Sequence, residues 1–242
     1  MRAASGASLT EDAALAPLVV DYDGSSADAA DADPAGGEGD SVGATEASVP
    51  AVPAAGSSVP PADAGEACTA PPGPGDLVID ELMIESVEGA GDYGEWLEVK
   101  STLSCAVDLL GLQGQCPVGA KVHTFDVTED VWIPPGGTFL VADSADPAVN
   151  HDLPGTVVTW SGQPGDVLRN LGGTVTLLSG DAIVDSLTWP KLELTPGASY
   201  EFPADCSPSD RTTFSFWQPA VASWFPGFDG TPNAPNVDVE CP

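Results

Sequence analysis

The chain has 242 residues, with 37 acidic side chains against 6 basic ones and a formal net charge of −31. Phosphate binding needs clustered Lys and Arg, so this charge argues against nucleic acid and anionic lipid headgroups as partners. Divalent cations, cationic partners or plain colloidal solubility fit it better.

Residues 1–75 hold twelve acids, from Glu11 to Glu66, and one base, Arg2, among mostly Ala, Gly, Pro and Ser. Tyr22 is their sole aromatic residue. Such a segment buries too little apolar surface to offset the entropy of ordering it, which predicts a disordered acidic N-terminal tail. "VPAVPAAGSSVPPADAG" and "APPGPG" mark residues 24–75 as a linker that either tethers a domain away from a surface or solubilises it. Glu11 and Asp12 interrupt the first apolar stretch, so no signal-peptide core is visible. No run approaches the ~20 apolar residues of a membrane-spanning helix.

All six Trp and all seven Phe follow residue 75, so residues 76–242 read as one folded domain. From Asp76 onward, short β-type runs alternate with turn residues. They are "DLVIDELMIESV" (76–87), "GEWLEVK" (94–100), "AVDLLGLQ" (106–113), "KVHTFDV" (121–127) and "TFLVAD" (138–143). "TVVTW" (156–160), "GTVTLLS" (173–179), "AIVDSLTW" (182–189) and "ASYEF" (198–202) follow. Pro135-Gly136 suits a type II turn, and Ser179-Gly180-Asp181 suits a tight hairpin. No apolar run keeps helical spacing beyond two turns. About eight or nine short strands with no helices to cover them must bury their sheets against each other, which predicts an all-β, immunoglobulin-like β-sandwich. The aromatic stretch "FSFWQPAVASWFPGF" (214–228) has no strand period and is broken by Pro219 and Pro226. It reads as a coil that wraps the sandwich at an open edge or end.

The five cysteines, Cys68, Cys105, Cys116, Cys206 and Cys241, lack the CxxC spacing of a zinc site. Disulfides are the expected use, and they place the protein in an oxidising compartment. Proximity in sequence pairs Cys105 with Cys116 and Cys206 with Cys241, although other two-bridge arrangements remain open and one thiol is left over.

The order of these motifs resembles the lamin-tail domain found in bacterial exported proteins. "GDLVIDELM" (75–83), "GEWLEVK", "VDLLGL" (107–112), "IPPGGTFLVAD" (133–143), "GGTVTLL" (172–178), "IVDSLTW" (183–189), "GASYE" (197–201) and "GTPNAPN" (230–236) carry the resemblance. It implies an immunoglobulin-like sandwich acting as a non-catalytic module of surface or secreted proteins. Asp80 stands where the family often has Asn, and Ser101 and Thr102 stand where Asn often follows the Glu-Trp strand. Heptads are absent, so the rod and chromatin roles of animal lamins do not carry over.

For chemistry the candidates are few. There is no GxSxG elbow and no phosphate-cradling GxxxxGK[ST], and only His123 and His151 could serve as a base. In "GEWLEVK", strand alternation sets Trp96, Glu98 and Lys100 on one face and Leu97 and Val99 on the other. Glu95 and Glu98 therefore cannot act together as a glycosidase pair. Trp96 with Glu98 is the candidate binding pair, for a sugar or a cation, against the plainer reading of Glu98 and Lys100 as a surface ion pair. No metal site or cofactor is expected beyond weak calcium binding, for which the acidic stretches 31–42 and 85–95 are incomplete matches.

Together these features predict a non-enzymatic, exported module at the cell surface, in secreted or lipoprotein form. Its expected partner is a cell-surface protein or polysaccharide. The rival readings are a calcium-dependent adhesive or carbohydrate-binding module, and a small hydrolase using acidic residues.

Overall fold

The computed structural model describes residues 60–242 apart from 62, 88–91 and 162–166. The expected tail up to residue 59 and the stretch 31–42 lie outside the described residues. In chain order the strands are β1 (Leu77–Met83), β2 (Trp96–Ser101), β3 (Val107–Asp108), β4 (Leu112–Val118), β5 (Lys121–Asp126), β6 (Trp132–Ile133) and β7 (Thr138–Ala142). After a helical turn at Pro147–Asn150 come β8 (Val157–Thr159), β9 (Gly173–Ser179), β10 (Ala182–Trp189) and β11 (Tyr200–Glu201). The chain closes with β12 (Gln218–Pro219), β13 (Ser223–Phe225) and β14 (Phe228–Asp229).

Each of the nine β-type runs supplies strand. The run 106–113 is divided by a turn at 109–111, in which Gly111 takes a φ of 81° just before β4. The sequence reading missed β6 and the three short strands β12–β14, because strands of two or three residues beside or containing Pro134, Pro219 or Pro226 carry no alternation to detect. The expected turns form. Gly137 N donates to Pro134 O at 2.9 Å around Gly136 at φ 68°, and β9 and β10 pair Ser179 with Ala182 across Gly180-Asp181.

A six-stranded sheet, ordered β12-β11-β1-β2-β7-β8, faces a four-stranded sheet, ordered β10-β9-β4-β5. The pairings are antiparallel except for the parallel β7–β8 pair. Alternation explains what fills the space between. In β4, Leu112 and Cys116 point inward while Gln113 and Gln115 point out, and in β5 His123 and Phe125 point inward. Leu77, Ile79, Leu97, Val99, Phe139 and Val141 meet Val175, Leu177, Leu187 and Trp189 in this central core. The molecule is thus an all-β sandwich, joined at both edges. Gly75 N donates to Val184 O at 2.8 Å on one side, and Ser161 N donates to Thr124 O at 2.6 Å on the other.

Strict alternation along β1 would send Ile79 and Glu81 to the same side. A bulge between Ile79 and Glu81 prevents this. The extra residue lets Ile79, Leu82 and Ile84 all enter the core, while Glu81 and Met83 turn to the outer face. Ile79 stays in register with Val99, and its amide, which faces the side of β1 that β11 does not reach, donates to Asp185 Oδ2 at 2.8 Å.

That outer face is also covered. Residues after β12 fold back across it, so Met83, Trp96, Leu140, Ala142 and Leu153 form a second core beneath Trp224 and Phe228. The aromatic segment therefore covers a sheet edge, as expected, and seals a sheet face as well. β12 alone extends the edge, on β11.

The disulfides are Cys68–Cys105 and Cys206–Cys241, and Cys116 is a buried free thiol. The expected Cys105–Cys116 bridge does not form. Cys116 sits mid-strand between the sheets, and its thiol donates to Val167 O at 3.1 Å. Cys105 lies at the rim, where residues 66–68 run alongside Ala106 through paired backbone bonds of 2.7 Å. The folded part thus begins before the expected boundary at Asp76.

Candidate functional site

Three neighbouring strands each place a glutamate on the covered face. Glu81 of β1 is the register partner of both Glu98 on β2 and Glu201 on β11. All three have no exposed surface. Like charges placed directly opposite in a sheet repel, and burial adds a desolvation cost, so this row is stable only if its charge is neutralised.

The returning segment Gly230–Asn236 supplies the partners. Glu81 Oε1 accepts from Ser199 Oγ at 2.6 Å and from Thr231 N at 2.9 Å. Glu98 Oε2 accepts from Asn233 N. Thr231 Oγ1 lies 2.7 Å from Glu201 Oε2, 3.2 Å from Glu81 Oε2 and 2.9 Å from Asn236 Oδ1. A hydroxyl has one proton, so three oxygens around it require that at least one of the two glutamates brings a proton of its own. Gly230 permits the approach, since a Cβ there would stand 2.8 Å from Glu81 Oε1 and 2.9 Å from Ser199 Oγ.

The electrostatics agree. Burial raises Glu81 to about 8 against the opposing donors Ser199 and Thr231. Burial, with the charges of Asp80 and Glu81, raises Glu98 to about 9. Burial and a hydrogen bond to the Asp238 carboxyl raise Glu201 to about 9. For Asp238, burial acts to raise the pKa, but hydrogen bonds from Glu201 and from the amides of Val221 and Ala222 outweigh it and hold Asp238 low. At neutral pH the three glutamates are therefore mainly neutral acids.

This overturns the expectation for Trp96 and Glu98. They share a face, as alternation requires, but both are fully buried beneath residues 224–236 and present nothing to a sugar or cation in solvent. Trp96 packs edge-on against Trp224 at 6.3 Å. Glu95, also buried, points elsewhere, and its Oε2 accepts from Val167 N at 2.8 Å and Leu168 N at 2.9 Å. These carboxylates hold loops and strands together.

Two further constellations exist only in three dimensions. Ser86, Asp92 and His151 converge around Gly94, where a Cβ would collide with the Ser86 side chain and come within 3.2 Å of His151 Nε2. The Ser86 hydroxyl donates to Asp92 Oδ1, not to the imidazole, so His151 does not activate it. His151 instead stacks on Phe228 at 3.8 Å, with burial lowering its pKa. His123, the other candidate base, is buried opposite Cys116 in β4.

The second constellation is a pocket of about 580 Å³ at the free first half of β1, which β11 leaves uncovered. Val78, Phe202, Pro203 and Pro208 form an apolar wall, and Asp80, Lys100 and Arg211 bring charge to it. The volume falls in the range of about 300–1,000 Å³ typical of small-molecule sites. Arg211 is committed: it donates to Ile79 O at 2.9 Å and pairs with Asp185. Asp80 is 7% exposed, and its Oδ1 is buried without a partner. Burial raises Asp80 to about 7, while the positive charges of Lys100 and Arg211 oppose the shift. Asp80 and Lys100 act on each other through space but make no ion pair. Sequence reading had Lys100 on the outer face and Asp80 only as a family departure. The bulge that turns Asp80 toward the pocket left no signal in the sequence.

Among the described residues, no group of three His, Cys, Asp or Glu side chains is arranged to hold a metal ion. Nor is any helix among them long and apolar enough to cross a membrane. Fold and site together define a disulfide-bonded all-β sandwich with a sealed acidic face and a mixed-charge pocket. No protein-family model matches the chain, and no curated protein matches it.

Proposed function

We propose that this chain is a non-enzymatic binding module of the lamin-tail type that works outside the cytosol, secreted or displayed on its acidic N-terminal segment. The observation that carries the binding reading is the pocket beside β1, where a buried carboxyl with one unpartnered oxygen and an ammonium group flank an apolar wall. The two disulfides support the location, since such bridges persist in oxidising compartments. The order of eight motifs across residues 75–236 supports the family. The glutamates of the covered face are engaged in holding the closing segment, which favours binding over hydrolysis.

Two measurements test this. Thiol trapping in the native cells, followed by unfolding and mass analysis, is expected to label Cys116 alone. Labelling of all five cysteines would place the protein in a reducing compartment and sink the display reading. Labelled oxidised protein is expected to be retained by intact source cells, and Lys100→Glu to reduce that retention. Equal retention of the variant would remove the pocket from the function.

A further inference from the structure

We propose that the pocket beside β1 takes a small amino-acid-type zwitterion with an apolar side chain, its ammonium group on Asp80 and its carboxylate on Lys100. The inference rests on the binding reading above and names the ligand's chemistry.

The argument begins with what Asp80 lacks. A carboxyl that is more than nine-tenths buried ordinarily has its oxygens satisfied, because an unpaired polar atom inside a protein is costly. Asp80 Oδ1 has no partner, and the neighbouring donors are spent elsewhere. Asn236 Nδ2 donates to Asp80 O at 2.9 Å and Phe202 O at 3.0 Å. The Arg211 guanidinium holds Ile79 O and Asp185. The Thr102 hydroxyl donates to Gly75 O at 2.8 Å.

Lys100 is the complementary half. It pairs in register with Val78, two residues before Asp80, so its side chain leaves β2 on the pocket side of the sheet. Lys100 and Asp80 both border the cavity yet do not meet. A ligand with a positive and a negative end closes that gap with two charge-assisted hydrogen bonds. The Val78, Phe202 and Pro208 wall receives the apolar remainder.

Charge narrows the class further. The chain carries −31, so its long-range field repels an anionic ligand such as a polyuronate. A simple amine would face Lys100 and Arg211 at close range. A net-neutral ligand with separated charges meets neither penalty, and an all-hydroxyl sugar leaves the apolar wall unfilled.

The test is titration of the oxidised full chain with L-leucine, isocaproate (no ammonium) and isoamylamine (no carboxylate), by calorimetry and amide-resolved NMR. Leucine is expected to shift the amides of Asp80, Lys100 and Ala204. Each analogue should bind at least about tenfold more weakly, a difference of ~1.4 kcal/mol. Asp80→Asn and Lys100→Met should each weaken leucine by about tenfold. Should Asp80→Asn fail to fold, Lys100→Met, at a half-exposed position, still decides the matter. Absence of leucine binding, equal binding of either analogue, or undiminished binding by Lys100→Met would each overturn the zwitterion. Isocaproate binding that Lys100→Met abolishes would overturn the ligand class but leave the pocket as the binding site. No shift at these amides with any compound, together with undiminished retention of Lys100→Glu on cells, would remove both.

Discussion

Glu201 on β11 and Asp238 near the C-terminal end are neighbouring carboxyls, and Glu201 Oε1 and Asp238 Oδ1 are buried with no donor in reach, so only a proton carried by one of the two can satisfy the pair. Two carboxyls in contact need one proton between them. Glu201 carries it and Asp238 stays ionised, because Asp238 Oδ2 also receives the amides of Val221 at 2.9 Å and Ala222 at 2.7 Å. The pair fastens the C-terminal segment to the sheet, and its proton is part of the fastening.

Stability is therefore expected to fall as pH rises. Glu81, Glu98 and Glu201 have folded-state pKa values of about 8, 9 and 9, above their ordinary 4.5. Between those values the folded chain holds more protons than the unfolded one, so the stabilisation is complete below pH 4.5 and is lost as pH passes through 8 to 9. Thermal midpoints measured from mildly acidic to alkaline pH should decline, and Glu81→Gln should flatten the decline. A rise in midpoint over that range would contradict the protonated row.

Thr231→Val removes a hydroxyl that touches Glu81, Glu201 and Asn236 at once. Leaving buried polar atoms short of a partner costs about 1–3 kcal/mol. Urea unfolding should show a loss of that size at neutral pH, and an unchanged midpoint would mean that the hydroxyl is dispensable.

Gly230→Ala should lift the closing segment, since its Cβ meets Glu81 Oε1 and Ser199 Oγ, both fixed by hydrogen bonds. Overpacking of this kind costs ~1–3 kcal/mol. Trp224 packs edge-on against Trp96 under the same segment. Tryptophan fluorescence should therefore shift together with the loss of stability, whereas a wild-type spectrum and midpoint would show that the segment has slack.

Replacing Cys206 and Cys241 together by Ser opens a bridge that spans 35 residues and ties the C-terminal end to a wall of the pocket. Loop closure of that length contributes roughly 3–4 kcal/mol. Calorimetry of the double variant should show a corresponding drop, and the Cys116→Ala variant should leave both bridges intact by mass.

The sequence by itself determined the class of fold and most of its strands. Period-two alternation in "LQGQC" or "GTVTLLS" can bury only one side, and Pro135-Gly136 and Gly180-Asp181 have backbone freedom suited to turns and little else. Alternation also placed Trp96 and Glu98 on one face. It could not say that the face would be covered, because the covering segment 218–236 lies more than a hundred residues away in sequence and shows no period. The bulge at Ile79/Glu81 was hidden for a related reason: a one-residue shift in β1 is set by which side chains the opposing sheet and Asp185 accept. The partner of Cys105 likewise depended on a chance of proximity in space, not in sequence. Tertiary packing decided these points, and with them the protonated glutamate row and the pocket between Asp80 and Lys100. Such contacts join strands and loops that local sequence cannot relate to one another.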